Sequence, residues 1–182
     1  MPKTICIFGG SSSSVEPVFL ETAAALGREI ARRGDMLLFG AGANGLMGAV
    51  AKSAHQHNGH VIGIIPQALN RNGMVYESCD ELVVTKDLRE RKAVMDQRSD
   101  AFIALPGGYG TLEELLEIIT LKQLGYHAKP IIILNINDYY RELLAQFEAM
   151  INANFSEAES NDLYQVLLDP IAALTCIDSQ TT

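Results

Sequence analysis

Six short, almost purely apolar runs, each followed by helical spacing, limit what this chain can become. They cover residues 4–8, 36–39, 61–65, 81–85, 101–105 and 130–134. A strand with so few polar positions must be covered on both faces, as in a parallel sheet. Helical patterns fill the links at 15–33, 46–58, 88–98 and 111–124. A further long helix begins at Asp138, and a shorter apolar segment lies at 171–177. Such alternation specifies an α/β fold: a doubly wound, Rossmann-like domain whose mainly parallel sheet is flanked by helices. The length of 182 residues suits a single domain over 1–182, with 178–182 expected as a frayed tail.

Ligands of such sheets sit outside the carboxyl ends of the strands. Three loops of unusual composition reach that edge. The first, Gly9-Gly-Ser-Ser-Ser-Ser14, offers hydroxyls and close backbone approach to a phosphate or ribose. It also reads as an ordinary turn with an N-cap serine. The second places glycines at 40, 42, 45 and 48, close to a dinucleotide fingerprint. However, it follows the second strand, and the next strand ends at Ile65-Pro66 without the acid that a dinucleotide site uses. A mononucleotide-sized contact, or close helix–sheet packing, fits it better than a nicotinamide or flavin cofactor.

The third loop is Leu105-Pro-Gly-Gly-Tyr-Gly-Thr-Leu-Glu-Glu114. Its glycines, Gly107, Gly108 and Gly110, allow a ligand to approach the backbone. The helix that follows offers free N–H groups and a positive dipole end to a phosphate. Thr111 is expected to open that helix, with Glu114 completing a capping box. Glu113 and Glu114 are unusual in a pure phosphate cradle and suit acid–base or oxocarbenium chemistry. Glu113, Glu117 and Thr120 share a polar helix face, whereas Glu114 borders the apolar stripe. An apolar border raises a carboxylate's pKa unless a cation such as Arg91 opposes it. Arg89-Glu-Arg-Lys92 reads either as a solvated helix face or, through Arg91, as a fork for a phosphate or a ribose-bound leaving group.

A net charge of −8, from 14 basic and 22 acidic side chains, argues against nucleic acid or an anionic membrane as the main partner. No apolar run approaches the roughly 20 residues of a membrane span, and no signal peptide is expected. Cys6, Cys79 and Cys176 form no CxxC pair, which suggests reduced thiols in the cytoplasm. His55, His57 and His60 lie close in sequence, but His55 and His57 face apart on a helix, so no metal site is expected.

Arg91-Lys92-x-x-Met95 followed by Pro106-Gly-Gly-Tyr-Gly-Thr-Leu-Glu-Glu114 resembles the LOG family of cytokinin riboside 5′-monophosphate phosphoribohydrolases, long labelled possible lysine decarboxylases. The Gly-Ser-Ser stretch, the Gly-x-Gly-x-x-Gly-Leu-Met-Gly loop and Gln123-Leu-Gly125 before Lys129-Pro130 match in order. The resemblance implies a homodimer with its pocket near the subunit interface, acting on a nucleoside monophosphate without a cofactor. It implies catalytic roles for Arg91 and Glu114, a phosphate loop at Gly108, Tyr109, Gly110 and Thr111, and substrate contacts at Lys92 and Thr120. Two stretches depart from the family pattern: Leu88-Arg89-Glu90, where Met-His is usual, and Phe39-Gly-Ala-Gly42, where Tyr-Gly-Gly-Gly is common. Both bear on the base pocket. A decarboxylase would need a lysine for pyridoxal phosphate, and neither Lys92 nor Lys122 has an evident partner for the pyridinium. Related folds also bind nucleotides or carry molybdenum cofactor without hydrolysing them.

Overall fold

The computed structural model describes residues 1–71 and 73–180. Its strands are β1 (Thr4–Phe8), β2 (Met36–Phe39), β3 (His60–Pro66), β4 (Glu81–Thr85), β5 (Ala101–Ala104), β6 (Ile131–Leu134) and β7 (Gln165–Leu167). They form one sheet in the order β4-β3-β2-β1-β5-β6-β7, and every neighbouring pair is parallel. The helices are α1 (Pro17–Arg32), α2 (Gly45–Gln56), α3 (Leu88–Arg98), α4 (Tyr109–Gln123), α5 (Arg141–Asn152) and α6 (Pro170–Gln180).

The period-two pleat divides the core. Ile5, Ile7, Leu37 and Phe39 pack with residues of α1, α2 and α6 on one face. Cys6, Phe8, Leu38, Phe102 and Ala104 pack with residues of α3, α4 and α5 on the other. Double coverage explains why β1, β5 and β6 are buried along their whole length. The edge strand β4 departs from that expectation: Leu82 and Val84 are exposed on its outer face.

The strand order reverses direction between β1 and β5, so the loops leaving these two strands diverge and open a crevice. The loops touch at its floor, where Gly10 N–H donates to the Pro106 carbonyl at 3.0 Å. The glycine loop between β2 and α2 closes the near wall. Gly45 adopts φ +59° and lies where a β-carbon would stand 2.5 Å from the Ser11 carbonyl carbon, so a side chain is barred on both counts. Leu46 N–H then reaches the Gly10 carbonyl at 2.9 Å.

Several expectations need correction. Helix α4 opens at Tyr109 with Gly108 as its N-cap, and no side chain caps it. Thr111 is therefore inside the first turn, and Glu113 and Glu114 belong to the second. A side-chain cap forms at α3 instead, with Glu90 reaching back one residue beyond the N-cap Asp87. Asp87 accepts from Arg89 N–H and Glu90 N–H at 2.9 and 3.0 Å, and Glu90 accepts from Lys86 N–H at 2.5 Å. Asp138 does not begin the long helix: it closes a short 3-10 turn (Ile136–Asp138), and α5 starts at Arg141. At the carboxyl end, Asp178 to Gln180 continue α6, and Asp178 pairs with Lys3 and Arg33. The rest of the expected tail, Thr181 and Thr182, lies outside the described residues. Among the described residues, no helix is long and apolar enough to cross a membrane.

Candidate active site

A cavity of about 390 Å³ fills the crevice, within the roughly 300–1,000 Å³ typical of small-molecule sites. Its two ends differ in chemistry. Ser11, Gly108, Gly110 and Thr111 line a polar end at the start of α4, and Ile65, Leu69, Met74 and Leu88 line an apolar one. Arg91 and Glu114 also line it.

The polar end is built from open backbone. A β-carbon on Gly108 or Gly110 would meet no atom within 4 Å, so protein packing does not demand glycine at either position. The absent side chains leave the helix-end N–H groups bare, as an anion-binding helix terminus requires. Thr111 is buried and borders the same space.

Arg91 lies one turn into α3, beyond the Asp87 cap. Its Nε donates to the Ile64 carbonyl at 3.1 Å, and its Nη1 stands 2.7 Å from Glu114 Oε1. Room for the guanidinium comes from Gly40, where a β-carbon would approach Nη2 to 2.1 Å. Glu114 arrives from α4, with 9% of its surface exposed. Burial raises its pKa above the ordinary carboxylate value, although the Arg91 charge and hydrogen bond pull the other way. The result is a basic carboxylate held in place by a fixed cation.

The remaining candidates do not meet in this cavity. Lys92, next to Arg91, points elsewhere, and its ammonium pairs with Glu113 and Glu117. Tyr109 is 94% exposed and does not line the cavity. Thr120 lies about 14 Å along α4 from Thr111 at 1.5 Å per residue. It borders a surface groove with Leu116 and Phe147 and donates to the Leu116 carbonyl. His55 bonds Tyr76 and Asp80 while His57 turns to the Ser53 carbonyl. Among the described residues, no group of three His, Cys, Asp or Glu side chains is placed to hold a metal.

Sequence reasoning missed the outer wall. Residues 67–71 and 73–80 belong to a strap joined to the second glycine loop by an isolated antiparallel bridge, Gly42 to Val75. Ala43 N–H donates to the Met74 carbonyl, and Tyr76 N–H to the Ala41 carbonyl. The strap brings Leu69 and Met74 to the apolar end, where both remain substantially exposed. Its turn-rich sequence lacks periodicity, so the nearest available signal was two large apolar residues in a polar loop.

Pyridoxal phosphate does not suit this cavity, because no lysine lines it among the described residues.

Comparison with known proteins gives a consistent picture. A family model described as "Possible lysine decarboxylase" matches residues 47–177. "Probable cytokinin riboside 5′-monophosphate phosphoribohydrolase LOG4" of Oryza sativa subsp. japonica is 44% identical over 167 residues, 92% of this chain and 72% of that protein. "Cytokinin riboside 5′-monophosphate phosphoribohydrolase LOG7" of Arabidopsis thaliana is 46% identical over 84% of this chain and 70% of its own. Among solved structures, the molybdenum cofactor binding protein of Rippkaea orientalis superposes with a TM-score of 0.76 at 27% identity, covering 100% of this chain and 99% of that one. The molybdenum cofactor carrier protein of Chlamydomonas reinhardtii gives 0.75 at 22% identity, covering 99% and 98%, and shows the shared fold.

Proposed function

Because this chain belongs to the LOG family, we propose that it hydrolyses the N-glycosidic bond of an adenosine-type 5′-monophosphate, releasing the free base and ribose 5-phosphate. The observation that carries this reading is the Arg91–Glu114 pair, set in one cavity with a bare helix terminus and an apolar end.

The backbone from Gly108 to Thr111 holds the phosphate, and Ser11 adds a hydroxyl. The base lies toward Ile65, Leu69, Met74 and Leu88. Phosphate binding fixes the ribose between these ends and applies remote binding energy at C1′. Glu114 takes a proton from the attacking water and faces the positive charge that develops on the ribose, as carboxylates do in glycoside hydrolysis. Burial makes it the stronger base. Arg91 orients Glu114 and assists departure of the base.

The apolar end suits an N6-alkylated adenine better than adenine itself, so we place the prenylated nucleotide ahead of AMP. The working unit is a homodimer of single-domain chains. In it Tyr109 and Thr120, which face outward here, meet substrate only across the subunit boundary, and Lys92 acts through its two glutamates. A reducing cytoplasm suits the three free cysteines.

Chromatography of reactions with AMP and isopentenyladenosine monophosphate, wild type beside Glu114→Gln, tests the proposal. Free base from wild type alone supports it and ranks the two substrates. The likeness to a molybdenum cofactor binding protein favours a second reading, a binder without turnover. Intact nucleotide in every tube, with saturable binding, would establish that reading instead.

A further inference from the structure

A loop that grips an anion must turn its N–H groups toward it and keep its carbonyl oxygens away. The four carbonyls leading into α4 are all engaged elsewhere. Pro106 O accepts from Gly10 N–H at 3.0 Å, and Gly108 O from Leu112 N–H at 3.1 Å. The other two are held by side chains. Leu105 O accepts from the Tyr140 hydroxyl at 2.6 Å, and Gly107 O from the Tyr139 hydroxyl at 2.6 Å. Two consecutive tyrosines thus hold alternate carbonyls of the phosphate loop.

The segment that supplies them is itself tightly specified. Asn137 and Asp138, just ahead of the pair, adopt φ values of 49° and 58°, a conformation that non-glycine residues disfavour. The buried Asn135 holds this turn closed, donating to Asp138 Oδ1 at 3.0 Å and accepting from Tyr140 N–H at 2.7 Å. Tyr140 is buried in the core, whereas Tyr139 is half exposed and meets Phe19 edge-on at 5.9 Å.

We propose that Tyr139 and Tyr140 are positioning residues for the substrate's phosphate: their hydroxyls fix the peptide planes of the 105–108 loop so that the N–H groups of α4's first turn face the anion. Neither tyrosine lines the catalytic cavity. Their effect passes through the loop carbonyls. The inference rests on the phosphoribohydrolase reading for the identity of the anion but can be tested without turnover.

Tyr139→Phe removes one hydroxyl from a half-exposed ring and leaves the packing on Phe19 in place. The variant should raise KM for AMP on the order of tenfold, the scale of one well-placed hydrogen bond, with kcat little changed. Tyr140→Phe should do the same with some loss of stability. The deciding measurement is calorimetric affinity for AMP against adenosine, which lacks the phosphate, made with Tyr139 and Tyr139→Phe both in a Glu114→Gln background so that AMP stays intact. The ratio of the two affinities should fall about tenfold in Tyr139→Phe. If both ligands weaken alike, the tyrosines serve the fold alone and the inference fails. It fails equally if neither affinity changes. Should AMP bind without being hydrolysed, the substrate reading falls while the affinity ratio still judges this one.

Discussion

Gly40 and Arg91 share one volume: a β-carbon on the glycine would stand 2.1 Å from the guanidinium Nη2. Gly40→Ala should therefore push Arg91 off the Ile64 carbonyl and away from Glu114. Displacement of a catalytic group by about 1 Å can cost 10²-fold in rate, and a loss of that order in kcat is expected with the fold retained. The check is a double-mutant cycle on turnover. In an Arg91→Ala background the added methyl should change little, because its target is already gone.

Glu114→Gln should lower turnover by about 10²–10⁴-fold. It should also change how stability depends on pH. The native pKa of Glu114 lies above its unfolded value of 4.5, chiefly through burial, so the native state binds the proton more tightly. Its contribution is therefore present below pH 4.5 and lost as pH rises through the native value. Gln imitates the protonated acid at every pH. Melting midpoints of the variant, relative to wild type, should climb from acid to neutral pH, and a flat difference would refute the assignment.

The apolar end of the cavity was not legible in the sequence, whereas the polar end was. Glycine spacing and the carboxylate after Thr111 announce themselves in ten consecutive residues. The wall at Leu69 and Met74 comes from a turn-rich strap without periodicity, placed by one isolated bridge to Gly42. The central strands were readable because double burial leaves almost no polar positions, and the half-exposed edge strand β4 was readable by its Leu82-Val83-Val84 run. The exception was β7, whose three residues include Gln165 and an exposed Val166, leaving an apolar run of only Val166-Leu167-Leu168. The start of α4 misled for a related reason. Thr111 is a good cap by type, but Gly108 is the residue that leaves the strand in extended conformation, so the helix begins there.

Met74→Ser should separate the two substrates. The side chain is 54% exposed in the free protein, so its removal leaves the core intact. Covering such a residue with an apolar substituent contributes up to about 1.5–3 kcal/mol. The KM for isopentenyladenosine monophosphate should rise about tenfold while that for AMP changes little. Equal effects on both would place the N6 group elsewhere.

Asp87→Ala removes the cap that starts α3. The expected cost is about 1 kcal/mol, read as a fall of roughly 2–4 °C in the melting midpoint. Turnover should fall far less than in Gly40→Ala, since Arg91 keeps its acceptor on Ile64 and its partner on α4. A larger kinetic effect than thermal effect would mean that the cap itself aims the guanidinium.

The seam between β1 and β5 also governs when the enzyme can first exist. Thr4 N–H meets Asp100 Oδ2 across 96 positions of sequence, and the loops that leave these two strands form the floor of the cavity. Loop closure of that span has to precede the contacts that reward it, so this pairing belongs among the slow steps of folding. A nascent chain lacks the cavity until its middle third has been made and docked. Recovery of hydrolysis during refolding should accordingly trail the recovery of helical signal, making catalysis a late clock for sheet closure.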